Sequence, residues 1–211
     1  MFSLIQYLVL QDDSNLPEFP DCLYAYILAG NGVFKYAKRD GLEVLVQVSS
    51  AFIAGLPNLK PFAKIAQRVP AAPLACALEI SQESFPLERL FWFNFDGSWS
   101  LDAPEQFCSA ASVEPTDPYD SNGTKALIDL HSHGAMAPFF SHTDNKDEQG
   151  FRVYAVIGKV KTQPSLCVRV GMYGDYWSIP AATIFEMPAG IQDCFYWKGG
   201  FDEEENETSE L

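Results

Sequence analysis

Residues 126–149 read ALIDLHSHGAMAPFFSHTDNKDEQ and hold every histidine of the chain: His131, His133 and His142. The first eight residues, ALIDLHSH, form an apolar run that predicts a strand. Alternate side chains of a strand share a face, so the i, i+2 spacing of His131 and His133 sends both imidazoles the same way. Two imidazoles on one face are two legs of a tetrahedral zinc site. The polar run HTDNKDEQ predicts a helix over 142–149, closed by Gly150. Ser141 stands at its N-cap position and Asp144 three residues on, a start resembling a capping box. That geometry would also aim Asp144 at the metal. A carboxylate is the natural third ligand, and three ligands with an open fourth position describe a catalytic zinc rather than a structural one. His142 is expected at the surface, beside the helix start.

Upstream of this stretch, Pro73 opens a helix over 74–84 with Leu74, Ala77, Leu78 and Ser81 along one face. Pro86 follows its end, and LERLFWFNF (87–95) suits a buried strand whose aromatic residues are core. Asp96-Gly97 turns that strand into SWSLDA. Residues 104–123 read as a loop, with a strand near Phe107–Val113. Downstream, FRVYAVIGKV and SLCVRVGMY are two strands joined across Thr162-Gln163-Pro164, and YWSIP is a last one before a short amphipathic segment. Arg152 and Arg169 lie on adjacent predicted strands, placed either to bind a substrate carboxylate or to pair internally.

The N-terminal part alternates in a strand-like way. LYAYIL and VFKYAK flank the turn Gly30-Asn31-Gly32, and Arg39-Asp40-Gly41 leads into LEVLVQVSS, an antiparallel meander. Pro57, Pro61, Pro70 and Pro73 exclude a long helix over 51–73, leaving room for a short one at 59–68. The reading gives three regions: a β-rich N-terminal subdomain over 1–70, a catalytic domain over 71–200 and an acidic disordered tail over 201–211. The N-terminal region has no His and no phosphate-binding Gly-rich loop, so it is expected to pack on the catalytic domain and shape substrate access.

The chain has 211 residues and a formal net charge of −14. Residues 202–211 carry six of the acids, which leaves −8 for the rest. Nucleic-acid binding and attraction to an anionic membrane both need clustered Lys and Arg, so neither is expected. No apolar run reaches the ~18 residues of a membrane span, and the start MFSLIQYLVLQDD lacks the basic region and cleavage site of a signal peptide. The five cysteines are widely spread, with no C-x-x-C pair. They predict free thiols and a cytoplasmic protein.

The string His131-x-His133, seven residues, Ser141-x-x-Asp144 resembles the motif of the JAB/MPN (JAMM) zinc metalloprotease family. The resemblance runs from about residue 73 to 180. It implies an α/β fold of the α+β, cytidine-deaminase-like type, with a mixed central sheet flanked by helices. The family pattern also needs an upstream Glu following a helix and a Pro. Glu88, in Phe85-Pro86-Leu87-Glu88, is the best match. Glu79 and Glu83 on the helix and Glu105 in a loop are its rivals. By resemblance, one Zn2+ is held by His131, His133 and Asp144, Glu88 is the general base and acid, and Ser141 binds the oxyanion. HSHGAMAPFFSHTDNKDE followed by GFRVYAVIG looks like the bacterial PRTRC-system subgroup. This implies a peptidase or isopeptidase acting on the C-terminal tail of a ubiquitin-like protein, with a ThiF-like activating enzyme nearby. A non-catalytic MPN scaffold and a small-molecule amidase are the competing readings. Many relatives place Pro after the second His, where this chain has Gly134. Glycine's backbone freedom there predicts a mobile 134–140 loop. The insertion loops with which eukaryotic deubiquitinases grip ubiquitin are not identifiable, which argues against ubiquitin itself as substrate.

Overall fold

The computed structural model describes residues 4–11 and 16–196; the predicted acidic tail lies outside them. The first sheet has five strands in chain order: β1 (Ile5–Val9), β2 (Tyr24–Ala29), β3 (Gly32–Arg39), β4 (Leu42–Ser50) and β5 (Phe62–Ile65). β1 runs parallel to β2 and the others are antiparallel. Its β2–β3 turn is the one read from Gly30-Asn31-Gly32. Gly32 takes φ +140°, and a Cβ on Gly30 would lie 2.1 Å from the Leu56 carbonyl oxygen, so only glycine fits. Asn31 then closes the following loop, donating to Leu59 O at 2.9 Å and accepting from Leu59 N at 2.9 Å.

The short helix expected at 59–68 is instead strand β5. Prolines at 57, 61 and 70 leave too few residues for a helix that stands alone. The open edge of β4 offers that segment backbone hydrogen bonds, which it takes from Leu42–Leu45.

After α1 (Ala71–Glu83) comes the second sheet, built from β6 (Leu90–Phe95), β7 (Trp99–Asp102), β10 (Ile128–Ser132), β11 (Phe151–Gly158), β12 (Ser165–Met172) and β13 (Asp175–Ile179). Between β7 and β10 lie the hairpin β8 (Gln106–Cys108) and β9 (Val113–Pro115) and the short α2 (Ser121–Lys125), and α3 (His142–Asp147) precedes β11. The order is β13-β12-β11-β10-β6-β7, with β14 (Gln192–Asp193) beside β12. Only β10–β11 and β12–β14 are parallel, so the sheet is mixed. The outcome is an α+β fold with few helices. Helical cover is thinner than expected: α1 is the single helix of more than six described residues.

The two sheets share one core. Ala37, Leu42, Val44 and Val46 of the first sheet pack with Phe91, Phe93, Ile128, Leu130, Val153 and Ala155 of the second, and with Leu74 and Ala77 of α1. Phe34, Ile27, Tyr36 and Leu45 point the other way into a smaller cluster. Two cations of β3 then cross the junction. Lys35 reaches the β12–β13 turn, and Arg39 donates to the carbonyls of Lys125 at 2.9 Å and Phe151 at 3.1 Å. None of the five cysteines forms a disulfide. No helix among the described residues is long and apolar enough to cross a membrane.

Candidate metal centre

β10 carries Asp129 and His131 on the face opposite Ile128 and Leu130, and His133 continues that alternation just past the strand end. Both imidazoles are buried, and their Nε2 atoms face each other at 3.1 Å. His133 is held by its backbone N–H, which donates to Ile157 O of β11 at 2.8 Å. Its Nδ1 is buried near the Ala137 backbone and makes no hydrogen bond among the described residues. Phe139 packs edge-on against its ring, with centroids 4.7 Å apart.

The predicted capping box is present. Ser141 Oγ accepts from Asp144 N at 3.2 Å, and Ser141 N donates to Asp144 Oδ2 at 2.5 Å. The two carboxylate oxygens thus divide their work. Oδ2 closes the cap, and Oδ1 lies 3.8 Å from His131 Nε2. One donor atom from each of His131, His133 and Asp144 falls within 4.8 Å of the others, so this group could hold a metal ion.

The donor set fits such an ion. Tetrahedral zinc with bonds of roughly 2.0–2.1 Å separates its ligand atoms by about 3.3 Å, close to the imidazole spacing seen here. Two buried ring nitrogens facing each other across that distance need a shared proton or a cation between them. Burial pushes the His131 pKa down to about 4, with His133 and Arg169 adding to the shift and Asp144 opposing it. Burial lowers that of His133 also. Both rings are therefore neutral near pH 7, the form that binds metal.

Glu88 arrives from the neighbouring strand. β6 pairs antiparallel with β10, His131 opposite Leu90. Beyond the pairing, Arg89 N donates to Ser132 Oγ and Ser132 N to Arg89 O, both at 2.9 Å. This brings Glu88 level with the histidines. Its side chain is buried, and no hydrogen bond or ion pair of its carboxylate is found among the described residues. Burial, with the nearby Asp144 charge, raises its pKa to about 7. Its rivals Glu79, Glu83 and Glu105 are exposed, as is His142.

Three features of the site were not legible in the sequence. The first is the loop at Gly134, which takes φ +50°. A proline, locked near −65°, could not adopt that angle. The loop is not free as expected: Met136 O accepts from Lys159 N at 2.7 Å and Gly134 O from Val160 N at 2.9 Å. The second is Gly158, where an added Cβ would lie 2.4 Å from Met136 O and 2.5 Å from Pro138 N. Gly158→Ala is expected to displace the 136–138 backbone, cost about 1–3 kcal/mol and weaken metal binding, as denaturant titration and zinc titration would report. The third is that the single strand expected near Phe107–Val113 is instead the β8–β9 hairpin, whose Ser109 O accepts from Glu88 N at 2.8 Å. A Pro- and Ser-rich segment gives little periodicity from which to read two three-residue strands.

The two arginines are engaged internally. Arg152 lies 3.9 Å from Asp129 and donates to Gly123 O at 3.0 Å, while Arg169 pairs with Glu148. Neither is left to meet a substrate carboxylate.

Residues 70–170 match the family model described as prokaryotic homologs of the JAB domain, which supports assignment to the JAB/MPN family. The matched span runs from the residue before α1 into β12 and contains Glu88, His131, His133, Ser141 and Asp144. The family includes hydrolases, and prokaryotic members can be non-catalytic. No curated protein matches the chain.

Proposed function

We propose, starting from that family match, that this chain is a zinc-dependent peptidase or isopeptidase. Its substrate would be an amide at the C-terminal tail of a ubiquitin-like partner in a bacterial PRTRC-type system, with a ThiF-like activating enzyme as a companion. The observation carrying this reading is the convergence of His131, His133 and Asp144 beside a buried carboxyl, Glu88, that titrates near neutrality.

His131 and His133 through Nε2 and Asp144 through Oδ1 would hold the ion. Bound there, zinc supplies Lewis-acid polarisation and makes water more acidic. Glu88 accepts the proton of the attacking water as the carbon–oxygen bond forms. It then returns that proton to the amine nitrogen as the carbon–nitrogen bond breaks. A carboxyl with a pKa near the working pH suits both transfers. Ser141 Oγ uses a lone pair to cap α3, so its proton is free to donate to the oxygen that becomes anionic. Phe139, against His133, keeps water from one side of the imidazole pair.

The test is cleavage of a candidate partner's tail by the full chain with zinc. Zinc is expected at about one ion per chain, and chelation should abolish cleavage reversibly. Zinc should also raise the thermal midpoint, because it binds the folded state alone. Persistent absence of metal under zinc supplementation would favour the scaffold. A second reading has one observation in its favour. Phe139 also lines a cavity of about 740 Å³ with Phe140, Arg169 and Tyr176. A small-molecule amidase could seat its substrate there, and cleavage of short acyl–amino-acid amides but of no protein tail would point to it.

A further inference from the structure

Asp144 sits on a helix of six residues. Helices this short are unstable on their own, since nucleation is costly and few hydrogen bonds repay it. The capping box fixes the first turn of α3 but does not fix where that turn lies relative to His131 and His133. Those two belong to the sheet, so something must bind α3 to the sheet.

The contacts that do so converge on one side chain. Arg169 of β12 is only 5% exposed. Its Nε and Nη2 donate to Glu148 Oε2 at 3.0 and 2.5 Å, and its Nη1 donates to Asn145 Oδ1 at 2.6 Å. The guanidinium lies between two rings, 3.9 Å from the Phe140 centroid and 4.0 Å from that of Tyr176. Tyr176 of β13 adds a second hold. Its hydroxyl lies 2.8 Å from Asn145 O and 2.9 Å from Glu148 O, so one proton serves two carbonyls at the end of α3. It accepts in turn from Gln149 Nε2 at 3.1 Å.

A single planar cation thus joins three parts: the helix through Asn145 and Glu148, the ligand-flanking loop through Phe140, and the sheet through its own strand and Tyr176. Asn145 directly follows Asp144, and Phe140 directly precedes the Ser141 cap. An ordinary ion pair needs neither the two-ring stack nor the second acceptor on the same helix. Lysine could not reproduce the arrangement, because an ammonium lacks the planar fork and the stacking face. We propose that Arg169 and Tyr176 are positioning residues. They hold α3 against the sheet so that Asp144 Oδ1 meets the two imidazoles, and they act on the metal centre without touching the ion. The inference rests on the metal reading above.

The experiment is titration of the metal-free full chain with Zn2+ by calorimetry and with Co2+ by visible absorption. Arg169→Lys keeps the charge, and Tyr176→Phe keeps the ring while removing one hydroxyl. Ile27→Val, in the smaller cluster of the first sheet, serves as a control that weakens the fold away from α3 and its anchors. Both clamp variants are expected to lose roughly 10–100-fold in Zn2+ affinity, the usual effect of disturbing residues that orient ligands. Their Co2+ bands should shift in energy or intensity, while Ile27→Val keeps wild-type affinity and bands. Clamp variants with wild-type affinity and spectra would overturn the inference while leaving the metal centre intact. So would an equal loss in Ile27→Val. A wild-type chain that binds neither ion would overturn the metal reading and the inference together.

Discussion

Glu88→Gln is expected to abolish turnover while leaving the metal in place. The amide is nearly isosteric and cannot take a proton, so the loss should be of the 10²–10⁴-fold size usual for a removed general base. Zinc content should be unchanged, because Glu88 is not among the three ligand side chains. A second readout separates catalysis from structure. The Glu88 pKa is raised from 4.5 to about 7 in the fold, so the folded state disfavours the ionised form. The metal-free wild type therefore loses stability as pH rises from about 4.5 to 7, and stays penalised above that. Gln carries no such penalty. Metal-free Glu88→Gln should match wild type near pH 4 and exceed it by about 1–3 kcal/mol at pH 8, by denaturant titration. Unchanged turnover would remove Glu88 from the mechanism. A stability gain at pH 4 as large as at pH 8 would mean that its carboxylate is not the source of the strain.

The largest expected loss of stability comes from Lys35→Met. Lys35 is 1% exposed, on the third strand of the first sheet. Its ammonium donates to Met172 O at 2.6 Å, Tyr173 O at 3.2 Å and Asp175 Oδ2 at 2.7 Å, and lies 4.2 Å from the centre of the Tyr24 ring. All three acceptors belong to the β12–β13 turn, so one side chain fastens the first sheet to the second. Asp175 is 46% exposed and can return to water when its partner goes. The cost therefore falls on the two carbonyls that lose a charged donor and on the lost contact with Tyr24. Methionine refills the volume but none of the hydrogen bonds. The expected destabilisation is about 2–4 kcal/mol, measured by urea unfolding monitored by tryptophan fluorescence. A change below about 1 kcal/mol would show that the sheets are held by their shared apolar core alone.

What the sequence determined by itself lies within a few residues of chain. The period of two in ALIDLHSH puts His131 and His133 on one face. The Ser141-x-x-Asp144 spacing makes a capping box, and the apolar face read over 74–84 makes a helix, which the structure begins three residues earlier at Ala71. Each depends on interactions between neighbours two to four positions apart, which composition and spacing already encode. The tertiary structure alone decided the rest. It buried Glu88 level with the two histidines and left Glu79, Glu83 and Glu105 in water. It turned 62–65 into a strand because β4 offered a free edge, and it set Gly134 in a left-handed turn that a proline could not make. It gave Lys35 partners 137 to 140 residues away, and Arg169 partners 21 and 24 residues away. Such pairings are selected by which surfaces meet when the core closes, and no local pattern carries that information.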